Sequence, residues 1–227
     1  GNYTIITFKV QQLFDNLLNS TGAGVGNLIA QGNIKKIKEI YWELQGVRMA
    51  AAAFTIFAFY TLIDPFISIW LGEKYLLSSS IVIILLLNVF LGQTRGTTEQ
   101  FIYGYGLFQD VWAPLATLVI TIGVGLVGGY FFGLAGVIAG DCCSSLFILH
   151  IWKPYFLFKY GFKSSVREYW HKQLLLLLII IVSFAIVLYI KNFIQLNMPR
   201  TYWEWIKYST IVISIYLLVF IPVFYVC

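Results

Sequence analysis

The chain has 227 residues, of which 59% are hydrophobic and 11% charged, with a formal net charge of +5. Soluble domains carry charged residues at about one position in four, so this composition excludes an ordinary soluble domain. The basic excess falls in short stretches between apolar segments, where it acts as a topology signal, and no nucleic-acid partner is expected.

Hydropathy and length predict an all-α fold, a polytopic membrane helix bundle of seven helices over 3–31, 46–70, 76–105, 111–131, 134–158, 170–191 and 203–226. Each is close to, or longer than, the roughly twenty residues that cross a bilayer core. The chain opens at Gly1 rather than Met and enters an apolar segment at once, without a leader pattern, so it reads as an excerpt from a longer protein.

On the first helix, Lys9, Gln12, Asn16 and Asn19 recur at three- and four-residue steps and form one polar stripe. Lipid offers such groups no hydrogen bonds, so the stripe belongs against other helices or a water-filled cavity. Asp15 lies one step round from it and is expected to pair with a base or take up protons. A basic stretch follows, with Lys35, Lys36, Lys38 and Arg48.

The third helix carries Asn88, Gln93, Arg95, Thr97, Thr98, Glu99 and Gln100. Arg95 and Glu99 are four apart and can neutralise each other. The functional alternative is that Arg95 and Lys9 make a cationic cavity, since a guanidinium presents paired donors to phosphate oxygens. Between the fourth and fifth helices, Gly125, Gly129 and Gly133, then Gly136 and Gly140, favour close helix packing. Asp141 adds an ionisable group to the fifth helix. With Asp15 and Glu99 it is a candidate for coupling to ion movement.

Cys142 and Cys143 are adjacent in an apolar segment and Cys227 is terminal, which gives neither a disulfide framework nor metal-ligand spacing. His150 and His171 have no partner at ligand spacing, and no nucleophile, acid and base group themselves together. No metal, cofactor or enzymatic activity is expected.

Loop charges set the orientation. Lys35, Lys36, Lys38, Arg48, Lys153, Lys159, Lys163, Arg167 and Lys172 fall on one side, and Lys74, Lys191, Arg200 and Lys207 on the other. The positive-inside rule then puts the richer side in the cytoplasm, the N-terminus outside and the C-terminus inside. All seven tryptophans fall near proposed helix ends, at headgroup level.

Several phrases, taken in order, resemble a known family. They are Gly26-Asn27-Leu28-Ile29-Ala30, Asp64-Pro65-Phe66, Trp70-Leu71-Gly72-Glu73-Lys74-Tyr75-Leu76-Leu77, Tyr105-Gly106-Leu107-Phe108, Gly133-Leu134-Ala135-Gly136-Val137, Lys153-Pro154-Tyr155 and Lys159-Tyr160-Gly161-Phe162. The set resembles the polysaccharide-biosynthesis or O-antigen flippases, the Wzx-type branch of the MATE-like multidrug/oligosaccharidyl-lipid/polysaccharide exporter superfamily. The resemblance implies two pseudo-symmetric helical lobes. Residues 1–165 would be part of the C-terminal lobe and 166–227 two additional helices, with an N-terminal lobe of the same protein as partner. It implies residence in a bacterial inner membrane and a polyprenyl-pyrophosphate-linked oligosaccharide as substrate, moved by alternating access with H+ or Na+ as possible driver. Lys9, Gln12, Asn16, Asn19 and Arg95 would meet that substrate. A cation-coupled multidrug exporter of the same fold is the alternative within transport, and a membrane enzyme of glycan assembly the alternative outside it. The short, mostly basic loops speak against the enzyme. A membrane scaffold without transport would leave the charged residues of the first and third helices unexplained.

Overall fold

A computed structural model describes residues 2–225, apart from the side chains of 223 and 225. All its regular structure is helical. In chain order the helices are α1 (Asn2–Asn19), α2 (Gly22–Ala30), α3 (Ile34–Trp70), α4 (Ser79–Thr94), α5 (Gly96–Gly104), α6 (Trp112–Phe132), α7 (Leu134–Ser144), α8 (Lys153–Phe156), α9 (Arg167–Ile194) and α10 (Tyr202–Tyr225). Wider π-helical turns, Ser145–Trp152 and Leu157–Gly161, flank α8, so Leu134–Gly161 runs as one rod. Among the described residues, six rods are long and apolar enough to span a bilayer: Ile34–Trp70, Ser79–Gly104, Trp112–Phe132, Leu134–Gly161, Val166–Ile194 and Tyr202–Pro222. With α1 and α2 they make the expected multi-pass bundle of about seven helices. Cys227 lies outside the described residues.

Three departures from the expected boundaries matter for function. The predicted helix over 3–31 is broken at Ser20 and Thr21 into α1 and α2. The helix over 76–105 runs as the rod Ser79–Gly104, with a local irregularity at Arg95 between α4 and α5, where φ of −70° and ψ of −27° stay α-helical. The helix expected to begin at 46 begins at Ile34. Asn33 caps it by accepting the Lys36 backbone N–H at 3.2 Å, directly after Gly32 has ended the previous segment with φ of 72°. Lys35, Lys36 and Lys38 are therefore helical, not loop residues.

α3 is the central element. Its middle packs on α9 and α10 through Phe57, Val187, Val212, Tyr216 and Phe220, with the Phe57 and Tyr216 rings stacked at 4.3 Å. Toward one end, Ile63 and Ile67 meet Tyr3 of α1 and Val82, Leu85 and Val89 of α4. The Tyr3 hydroxyl donates to Asp64 at 2.6 Å. Trp205 of α10 donates its indole N–H to the Leu62 carbonyl at 3.1 Å, three residues before Pro65. Toward the other end, Tyr41 joins Phe101, Phe158, Phe162 and Tyr169 in an aromatic knot, and the Lys153 ammonium meets Asp110 at 2.7 Å.

α6 and α7 form a hairpin whose backbones touch. Gly133 turns the chain with φ of 58°, and a Cβ on Gly136 would overlap the carbonyl of Gly128. A Cβ on Gly140 would come within 2.6 Å of the Thr121 carbonyl oxygen. The outer face of α6 is apolar and exposed, with Leu118, Val119 and Leu126, as suits contact with lipid.

A candidate site where two helices break

The break at Ser20–Thr21 and the irregularity at Arg95 come together around one side chain from α3. Arg48 is 2% exposed. Its Nη2 donates to Asn19 Oδ1 at 2.7 Å, and its Nη1 lies 3.8 Å from Asp15 Oδ1. That Nη1 has no hydrogen-bond acceptor among the described residues. The guanidinium lies against Gly96, where a Cβ would overlap it, so the glycine at the start of α5 makes room for the cation.

Gln100 of α5 bridges the break at Ser20–Thr21. Its Nε2 donates to the Leu18 carbonyl and to Asn19 Oδ1, both at 3.1 Å. Thr21 reaches Gln100 Oε1 at 3.3 Å. A carbonyl at a helix end loses its partner four residues on, and here an amide from a neighbouring helix replaces it. Arg95, at the irregularity between α4 and α5, lies 3.9 Å from Glu99 Oε2. Two guanidinium groups and two carboxylates therefore gather where α1, α3 and α5 meet, and their formal charges balance.

Beside this cluster, α1, α4, α6 and α7 enclose a cleft of about 550 Å³. Arg95 and Asp141 line it, with Gln11, Asn88 and Thr121. Asn88 donates to Asp141 Oδ2 at 2.6 Å, and Gln11 lies over Gly92, where a Cβ would overlap its amide.

The candidates from sequence are thus distributed over three places. Asp15, Asn19, Arg95 and Glu99 belong to the charged cluster, and Arg95 shares the cleft with Asp141. Lys9, Gln12 and Asn16 lie on an exposed face of α1, away from the cleft lining, where the Lys9 ammonium meets Gln12 Oε1 at 3.5 Å. Arg48, from α3, is the cation that lies with Arg95 at the charged cluster, and Lys9 lies apart from it.

A buried polar chain leads away from the cluster. Gln45 donates to the Thr94 carbonyl at 3.4 Å and to Gln173 of α9 at 3.3 Å. His150 Nε2 lies 2.9 Å from Thr94 Oγ1, and its Nδ1 lies 3.1 Å from the Ser145 carbonyl oxygen. Since a carbonyl only accepts, Nδ1 carries a proton, and Thr94 Oγ1, which also lies 2.8 Å from the Phe90 carbonyl oxygen, has a single proton to share between that carbonyl and Nε2. His150 lies in the wide π-helical segment, which turns it inward. Reading sequence missed Arg48, Gln100, Gln45, Gln173 and His150 as site residues. The available signal was the three- and four-residue spacing of Tyr41, Gln45, Arg48, Ala52 and Thr55 along one face of α3, all of them buried.

No family model, curated protein or solved structure matches the chain.

Proposed function

We propose that this chain is the C-terminal portion of a carrier that turns a polyprenyl-pyrophosphate-linked oligosaccharide across a bacterial inner membrane, its basic loops in the cytoplasm. The observation that carries this reading is the pair of guanidinium groups, Arg48 and Arg95, collected with the amides of Asn19 and Gln100 where a helix break adjoins a helix irregularity. Ionisable groups at membrane depth are costly and mark transport paths, and carriers commonly bind cargo where helices are discontinuous. The motif resemblance supplies the substrate class.

In this reading, an arriving phosphate takes the place of the two carboxylates on the guanidinium groups. Arg95, half-exposed on the cleft wall, is the first donor offered, and Arg48 Nη1, buried and without an acceptor among the described residues, is the second. Asp15 and Glu99, once displaced, are the carboxylates on which a coupling cation, H+ or Na+, would be carried. The amides then serve sugar hydroxyls. Motion of this unit against the N-terminal lobe alternates access.

A cation-coupled drug exporter is the second reading, favoured by the exposed Asp141 carboxylate on the cleft wall. Deleting the gene in its native host and complementing it with wild type, Arg48→Ala or Arg95→Ala, at matched membrane levels, separates the two. Loss of surface polysaccharide with lipid-linked intermediate accumulating inside is expected for both variants. Normal polysaccharide in the deletion strain, with altered drug sensitivity, would replace this reading by the exporter.

A further inference from the structure

At the end of the bundle remote from Asp64, the first turns of α3 and α9 border a groove of about 1130 Å³. Its charged part holds Lys35, Lys38, Glu39, Glu43, Glu168 and Lys172. Further along the same helices, toward the apolar spans, it is lined by Gly46, Val47 and Leu176, with Phe224 of α10 beside them. At Gly46 a Cβ would make ordinary contact with the Phe224 ring, at 3.7 Å, and a much larger side chain would fill this part of the groove.

The charges are unevenly matched. Glu168 serves two cations: it pairs with Lys38, and its Oε1 lies 3.9 Å from the Lys172 ammonium. Lys172 also lies 5.0 Å from the centre of the Trp42 ring. One carboxylate shared by two ammonium groups leaves a net positive region beside an interfacial tryptophan. On the α3 side, Glu39 and Glu43, one helical turn apart, have no ion-pair partner among the described residues. The groove thus presents three ammonium groups and three carboxylates, two of these carboxylates without an ion pair among the described residues, next to an apolar channel.

We propose that this groove binds a zwitterionic aminophospholipid of the phosphatidylethanolamine type. Its phosphate would lie on Lys38 and Lys172, its primary ammonium between Glu39 and Glu43, and an acyl chain along Gly46, Val47 and Leu176. An anionic glycerol headgroup satisfies the lysines but leaves both carboxylates facing negative charge. A choline headgroup carries no N–H to donate to them. The site is independent of the charged cluster and of the transport reading.

The test is native mass spectrometry of the full-length protein in detergent, titrated with equimolar phosphatidylethanolamine, phosphatidylglycerol and phosphatidylcholine. Several-fold preferential retention of phosphatidylethanolamine is expected. Glu39→Gln with Glu43→Gln, near-isosteric and exposed, removes that preference, and Gly46→Phe reduces retention of all three lipids. Thermal unfolding of each variant confirms that it is folded. Equal retention of the three lipids by the wild type, a preference for phosphatidylglycerol, or an unchanged preference in the double glutamine variant overturns the proposal.

Discussion

Arg48 shows how one residue changes meaning with its surroundings. Read along the chain, it follows Lys35, Lys36 and Lys38 and joins their count of loop charges. In the fold it is a buried cation held by Asn19 and, at longer range, by Asp15. Loop charge and helix-face charge differ only in periodicity, and the basic run obscured the three- and four-residue spacing on α3. Asp15, Asn19, Arg95 and Glu99 were legible because each interrupts an apolar span. Lys9 was legible as an anomaly for the same reason, but its partners were not, because spacing within one helix says nothing about which other helix it faces. Asp15 is 36% exposed and can be solvated without Arg48, so the main loss is the hydrogen bond from a charged donor to Asn19, worth about 1.5–3 kcal/mol. Arg48→Ala should therefore lower the unfolding temperature of the detergent-solubilised protein by several degrees. Lys9→Ala, on an exposed face, should change stability by no more than about 0.5 kcal/mol. Scanning fluorimetry of the two variants side by side checks the contrast, and equal shifts would remove Arg48 from the structural centre.

At the scale of the element, the apolar rods were the most readable part. The fourth helix, expected over 111–131, spans Trp112–Phe132, and the sixth, expected over 170–191, spans Arg167–Ile194. The break at Ser20–Thr21 and the irregularity at Arg95 were not readable. Both lie inside polar runs without proline, and neighbouring side chains satisfy the freed backbone, Gln100 on the Leu18 carbonyl being the clearest case. The glycines of α6 and α7 were legible as packing residues, yet their partners only emerge in three dimensions. Gly128 faces Gly136, and Gly125 faces Gly140, across the turn at Gly133. Overpacking a tight contact costs roughly 1–3 kcal/mol, and Gly136→Ala should reach that range because its methyl meets backbone that cannot rotate away. Gly123, with open space around it, is the control: Gly123→Ala should leave the melting temperature unchanged or raise it.

For the whole molecule, the all-helical multi-pass architecture follows from composition and span length, and the structure agrees with it. The exposed polar face of α1 is a separate matter, because Lys9, Gln12 and Asn16 would be costly against hydrocarbon. We expect Asn16→Cys, introduced after replacing the three native cysteines with alanine, to react with a membrane-impermeant thiol reagent in intact membranes. Leu126→Cys on the lipid face of α6 should stay unlabelled. Protection at position 16 would mean that a sealed protein interface covers this face. α3 gives the architecture its mechanical character. Its 37 residues make a rod about 55 Å long, against a hydrocarbon core of about 30 Å. One end is fastened by Lys38 to Glu168, the other by Asp64 to Tyr3, and Arg48 projects between them. A rod tied at both ends and buried along its middle fixes the depth of the one cation it carries between them, so the guanidinium stands at a set level in the bundle without any contact to either loop region.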